Sequence, residues 1–104
     1  SHLLKMMHWY NDLGLAKLSL CYIRTKDQEE VDFLMLKDEK PWFLVEVKSS
    51  MKAPLSSSLK KFHQTLKTEH AFQVGFDGQY IKQDIFKLHE PIIVPVQNLL
   101  TQLV

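Results

Sequence analysis

An aspartate and a glutamate–lysine pair interrupt two apolar runs of this chain: Asp32 lies in residues 30–36, Glu46 and Lys48 in residues 42–48. Desolvating an unpaired charge costs several kcal/mol, roughly enough to unfold a marginal domain, so such residues need a compensating partner. Alternation along a strand puts Glu46 and Lys48 on one face. If Leu36 pairs with Trp42 across the connection, Asp32 falls opposite Glu46, with Cβ atoms about 4.5–5.5 Å apart. A slip of one residue would send the two carboxylates to opposite faces. In the first register two carboxylates and an ammonium converge, and the carboxylates require a cation or a shared proton. Oxygen donors of this kind suit a hard divalent ion, Mg²⁺ or Mn²⁺. The competing reading is a solvated edge hairpin with an ordinary Glu46–Lys48 ion pair.

The elements that would position these residues follow from hydrophobic period and turn chemistry. Residues 2–12 carry Leu3, Leu4, Met7 and Tyr10 near a helical period, and Asn11, Asp12 and Gly14 mark an end. Residues 16–25 alternate as a strand. With 30–36 and 42–48, joined through the polar stretch 37–41, they make a three-stranded antiparallel meander. Leu55, Leu59, Phe62 and Leu66 define one face of a helix that starts among Ser56, Ser57 and Ser58 and ends near Thr68. Residues 71–76 form a short buried strand, and strand–helix–strand of this length predicts a parallel crossover. Residues 80–89 fit loop, short strand or one helical turn. Residues 92–96 read as an edge strand bounded by prolines. Residues 98–104 read as a final helix with Leu99, Leu100 and Leu103 turned inward. The fold class is α/β (α+β), a central mixed sheet of four to five strands flanked by helices.

Composition narrows the function classes. The chain has 104 residues, the length of one domain, and a net charge of +1 that argues for no polyanion partner by itself. Charge distribution says more: Lys48, Lys52, Lys60, Lys61 and Lys67 follow one another with no acid between them. Lys52, Lys60, Lys61 and Lys67 are candidates for phosphate contact, against the commoner outcome of a solvated helix face. The lone Cys21 makes no internal disulfide and fits a reducing compartment. No apolar run reaches the ~20 residues of a membrane span, so a cytoplasmic location is expected. There is no phosphate-binding glycine loop, no CxxC pair, no HExxH helix and no GxSxG elbow.

The arrangement Asp32-x13-Glu46-x-Lys48 resembles the core motif of the PD-(D/E)XK nuclease superfamily. The phrases Arg24-Thr25-Lys26-Asp27-Gln28-Glu29-Glu30-Val31-Asp32-Phe33-Leu34 and Lys40-Pro41-Trp42-Phe43-Leu44-Val45-Glu46-Val47-Lys48 are similar to one branch of it. That branch is the C-terminal domain of unknown function of bacterial and archaeal AAA-type ATPases. The resemblance implies a restriction-endonuclease-like core in which Asp32 and Glu46 bind Mg²⁺ (or Mn²⁺) and Lys48 positions or polarises the attacking water. It also implies DNA as a substrate, an ATPase module preceding residues 1–104 in a longer chain, and a polar active-site position on the helix at Gln64. Many active relatives carry a further Glu on the first helix. No Glu precedes Glu29 here, and in this branch that residue is expected upstream of Ser1. Three functions follow as expectations: a Mg²⁺-dependent nuclease, a catalytically inactive regulatory or interaction module of an ATPase, and a nucleic-acid binder that does not cut.

Overall fold

The computed structural model describes residues 2–8, 18–25 and 33–103. Six strands form one mixed sheet in sequence order: β1 (His2–His8), β2 (Leu18–Thr25), β3 (Phe33–Lys37), β4 (Lys40–Lys48), β5 (His70–Gly75) and β6 (Ile92–Pro95). Pairs from β1 to β4 are antiparallel, and β4–β5 and β5–β6 are parallel. The first crossover contains α1 (Ser57–Leu66), the second a 3₁₀ turn at Ile85–Lys87, and α2 (Val96–Gln102) closes the described chain. The meander and parallel extension are those expected from sequence.

The first element is a correction. Residues 2–8 form a strand rather than the start of a helix, and bring the sheet to six strands. The pairs Leu3–Leu4 and Met6–Met7 satisfy either period in so short a run. Docking against β2 decides between them, because seven residues of β1 find partners from Ser19 to Thr25. Residues 9–12 of the expected helix lie outside the described residues.

Two apolar clusters sit on opposite sides of the sheet. Cys21, Leu34, Leu36, Leu44 and Ala71 pack with Leu59 and Phe62 of α1. Met35, Phe43, Val45, Phe72, Val74 and Val94 pack with Ile85 and with Leu99 of α2. β5 is consequently buried at every position, as expected for a parallel strand covered on both faces. On the second face Phe43, Phe72 and Phe86 lie with ring centroids 5.2–5.7 Å apart, mostly edge to face. His70 joins them, 3% exposed, its Nδ1–H donating to the Leu88 carbonyl at 2.6 Å.

α1 starts where Ser56 caps it, accepting from the Leu59 amide at 3.2 Å. It ends at Lys67, whose left-handed conformation (φ 54°) turns the chain toward β5. α2 begins two residues earlier than expected, directly after Pro95. Leu99 is buried, but Leu100 is 60% exposed, correcting its inward placement.

Candidate functional site

β3 and β4 meet in a two-residue turn, Asp38-Glu39, with φ of 51° and 67°. Positive φ at both positions matches the right-handed twist of a hairpin, which fixes the register locally. Lys37 pairs with Lys40 and Leu36 with Pro41, not with Trp42; an irregularity between Met35 and Leu36 then shifts the ladder by one. Pro41, which has no amide hydrogen, sits in that irregular stretch. Beyond it Met35 faces Phe43, Leu34 faces Leu44 and Phe33 faces Val45. This is the register from which Asp32 was expected opposite Glu46. Asp32 itself lies outside the described residues.

The even positions of β4 bring Leu44, Glu46 and Lys48 to the α1 side. Leu44 is fully buried there with Leu59 and Phe62. Glu46 is 2% exposed, an unusual depth for a carboxylate. Its Oε1 lies 3.6 Å from the Lys48 ammonium, whose side chain is 32% exposed. Its Oε2 is buried and meets no hydrogen-bond partner among the described residues. A carboxylate oxygen can accept two bonds, so one lone-pair set is shut away from water and unmatched among the described residues.

Gln73 stands beside Glu46 in the β4–β5 register and is completely buried. Its polar atoms are all engaged. Oε1 accepts from the Ser56 amide at 2.8 Å, and Nε2 donates to the carbonyls of Pro54 at 3.0 Å and Ala53 at 3.3 Å. Gln73 thereby ties the 53–56 segment, and with it the start of α1, to the strand next to Glu46. The sequence reading passed over this residue; a lone amide within Ala-Phe-Gln-Val-Gly-Phe was the available signal.

A second tie holds the segment that leaves Lys48. Asp77 accepts from the Met51 amide at 2.6 Å and from the Ser50 hydroxyl at 2.7 Å. Those bonds, the Met51 amide foremost, lower its carboxyl from the ordinary 3.8. Gly75, opposite Lys48, allows this approach: a Cβ there would lie 2.7 Å from the Met51 nitrogen.

The remaining candidates separate. Lys52, Lys60, Lys61, Gln64 and Lys67 are all exposed. Lys60, Gln64 and Lys67 line one cleft with His63; neither Glu46 nor Lys48 lines it, nor do Lys52 and Lys61. Among the described residues no group of three or more His, Cys, Asp or Glu side chains gathers as a metal-binding cluster. The described oxygen donor of the expected metal set is therefore Glu46 alone, with a free, hard-ligand oxygen.

A six-stranded mixed sheet with helices on both faces and, on one inner strand, a buried Glu46 beside a partly exposed Lys48 defines an α+β domain with a carboxylate in its core. The family described as Domain of unknown function (DUF4143) matches residues 1–99, and the chain belongs to that family. No curated protein and no solved structure matches it. No helix among the described residues is long and apolar enough to cross a membrane.

Proposed function

We propose that this chain is a PD-(D/E)XK-type nuclease-like domain of an AAA-type ATPase, performing Mg²⁺-dependent hydrolysis of phosphodiester bonds in DNA. One observation carries the reading: Glu46 is buried, holds Lys48 at 3.6 Å, and has no hydrogen-bond partner for Oε2 among the described residues. A carboxylate retained only for packing would have both oxygens met or be replaced by an apolar residue. The register at Phe33–Val45 supports the reading, because it is the register from which the sequence expects Asp32 opposite Glu46. Asp32 and Glu46 are the proposed ligands, and oxygen donors suit Mg²⁺ or Mn²⁺. When bound, the ion supplies Lewis-acid stabilisation of charge on the phosphodiester and acidifies water. Lys48, half in solvent beside Glu46, orients and polarises the attacking water as a compact positive charge. Gln73 and Asp77 hold the two segments that frame this pair.

The test is cleavage of plasmid and single-stranded DNA with Mg²⁺ or Mn²⁺ by the protein and by its Asp32→Ala and Glu46→Gln variants. Cleavage by the parent chain alone is expected. Equal cleavage by the variants would refute the assignment.

A second reading is favoured by β1. A strand stands at residues 2–8, where the hydrophobic period predicts a helix, so those residues do not supply the helix on which active relatives carry a further Glu. A module that keeps the fold, serves its ATPase as a regulatory or interaction surface and does not cut fits that difference. It predicts no cleavage by any form and no Mn²⁺ binding that depends on Glu46, whose charge would then be a structural remnant of the fold.

A further inference from the structure

Separate from Glu46, a cleft of about 640 Å³ runs between α1 and the segment that enters β6. That volume lies within the roughly 300–1,000 Å³ range of small-molecule sites. Its helical wall is polar: Lys60, His63 and Gln64 fall at i, i+3 and i+4 of α1 and share a face, and Lys67, the left-handed residue that ends the helix, lines the same cleft. Its opposite wall carries Glu90.

The donors on this wall are uncommitted. The side chains of Lys60, Gln64 and Lys67 form no hydrogen bond or ion pair among the described residues, and Glu90 pairs with neither lysine. His63 is fixed through Nδ1, 2.7 Å from the hydroxyl of the buried Thr68, which leaves Nε2 for another partner. A solvated helix face needs no facing wall and no anchored imidazole. Two ammonium groups, an imidazole nitrogen and an amide entering one concavity match an anion with several acceptor oxygens. A phosphoryl group has three and carries up to about two charges. Glu90, opposite, repels a second anionic group and accepts from a hydroxyl or amine.

From this geometry we infer that the cleft binds a phosphate ester, its phosphoryl oxygens on Lys60, His63, Gln64 and Lys67 and its hydroxyl-bearing part toward Glu90. A terminal phosphate, as on a free nucleotide, meets that description; a polynucleotide-backbone phosphodiester, with two free oxygens and one charge, is the weaker match. The inference does not rest on the nuclease reading, since neither Glu46 nor Lys48 lines the cleft.

Following the His63 ring signals by NMR during titration with inorganic pyrophosphate tests it. Saturable shifts are expected, weakened at least about tenfold in a Lys60→Gln/Lys67→Gln variant and by added salt. Repeating the titration with adenosine monophosphate and with an oligodeoxynucleotide lacking terminal phosphates identifies the source by which of them shifts His63 at lower concentration. No pyrophosphate shift, or an equal shift in the folded double variant, overturns the inference. A Glu46→Gln variant should bind pyrophosphate as the parent does, which separates this outcome from the fate of the metal site.

Discussion

Glu46 and Gln73 are direct neighbours across the parallel β4–β5 ladder, both buried, yet among the described residues only Gln73 has its polar atoms satisfied. One side chain is a structural tie; the other is a charge held in the core with an oxygen unmatched. Substitution should therefore move stability in opposite directions at the two positions. Gln73→Leu strands the Ser56 amide and the Ala53 and Pro54 carbonyls and is expected to cost about 2–4 kcal/mol. Glu46→Leu removes a desolvated charge, while Lys48, already 32% exposed, turns to solvent. A gain of about 1–3 kcal/mol is expected. Urea unfolding of the two variants checks both signs.

The Asp77 tie has a pH signature. Its folded carboxyl lies below the ordinary 3.8, so the unfolded chain binds the proton more tightly. Its contribution is complete above the unfolded value and is lost as pH falls through the folded one. Asp77→Asn should flatten the acid limb of stability against pH below roughly pH 4 and leave the slope near neutrality unchanged. Denaturation midpoints measured from acid to neutral pH read this directly.

Gly75 is held to its identity by backbone, not by a flexible neighbour. A Cβ would meet the Met51 nitrogen at 2.7 Å and the Ser50 carbonyl carbon at 3.0 Å. Gly75→Ala must push the segment after Lys48 outward and is expected to destabilise by about 1–3 kcal/mol. Amide exchange at Met51 should accelerate in the same variant, because that amide is the one Asp77 holds.

Cys21 is fully buried, and burial raises its thiol above the ordinary 9.0. A thiol of that kind is a poor nucleophile. Alkylation should be slow in buffer, and accelerate to the rate of a free thiol across the unfolding transition. Fast labelling of the native chain would contradict the packing of β2 against α1.

Most of the architecture was legible because its signals are local. The alternation of 16–25, the apolar run of 42–48, the Leu59–Phe62 stripe and the serine cap each report a strand, a helix face or a turn that packing then respects. β1 was not legible, since two apolar pairs within seven residues satisfy helix and strand equally and the unpaired edge of β2 makes the choice. The segment 80–89 was opaque for another reason. It is held by side chains of α2: Asn98 brackets Ile81, and Gln102 bonds Ile85 and Gln83. Such ties leave no period in the sequence. At the site, parity alone placed Glu46 and Lys48 together. The tight Asp38-Glu39 turn and the shift at Met35–Leu36 were invisible, and they cancel: the expected register survives although Leu36 faces Pro41. Gln73 was missed because a buried amide is identified by what it holds.

The central claim is that Glu46 stays in the core as a ligand for a hard divalent ion. Calorimetric titration of Mn²⁺ into the parent chain and into Glu46→Gln tests it most directly. Saturable binding by the parent and its loss in the folded variant are predicted. Equal binding by both, or none by the parent, would contradict the account.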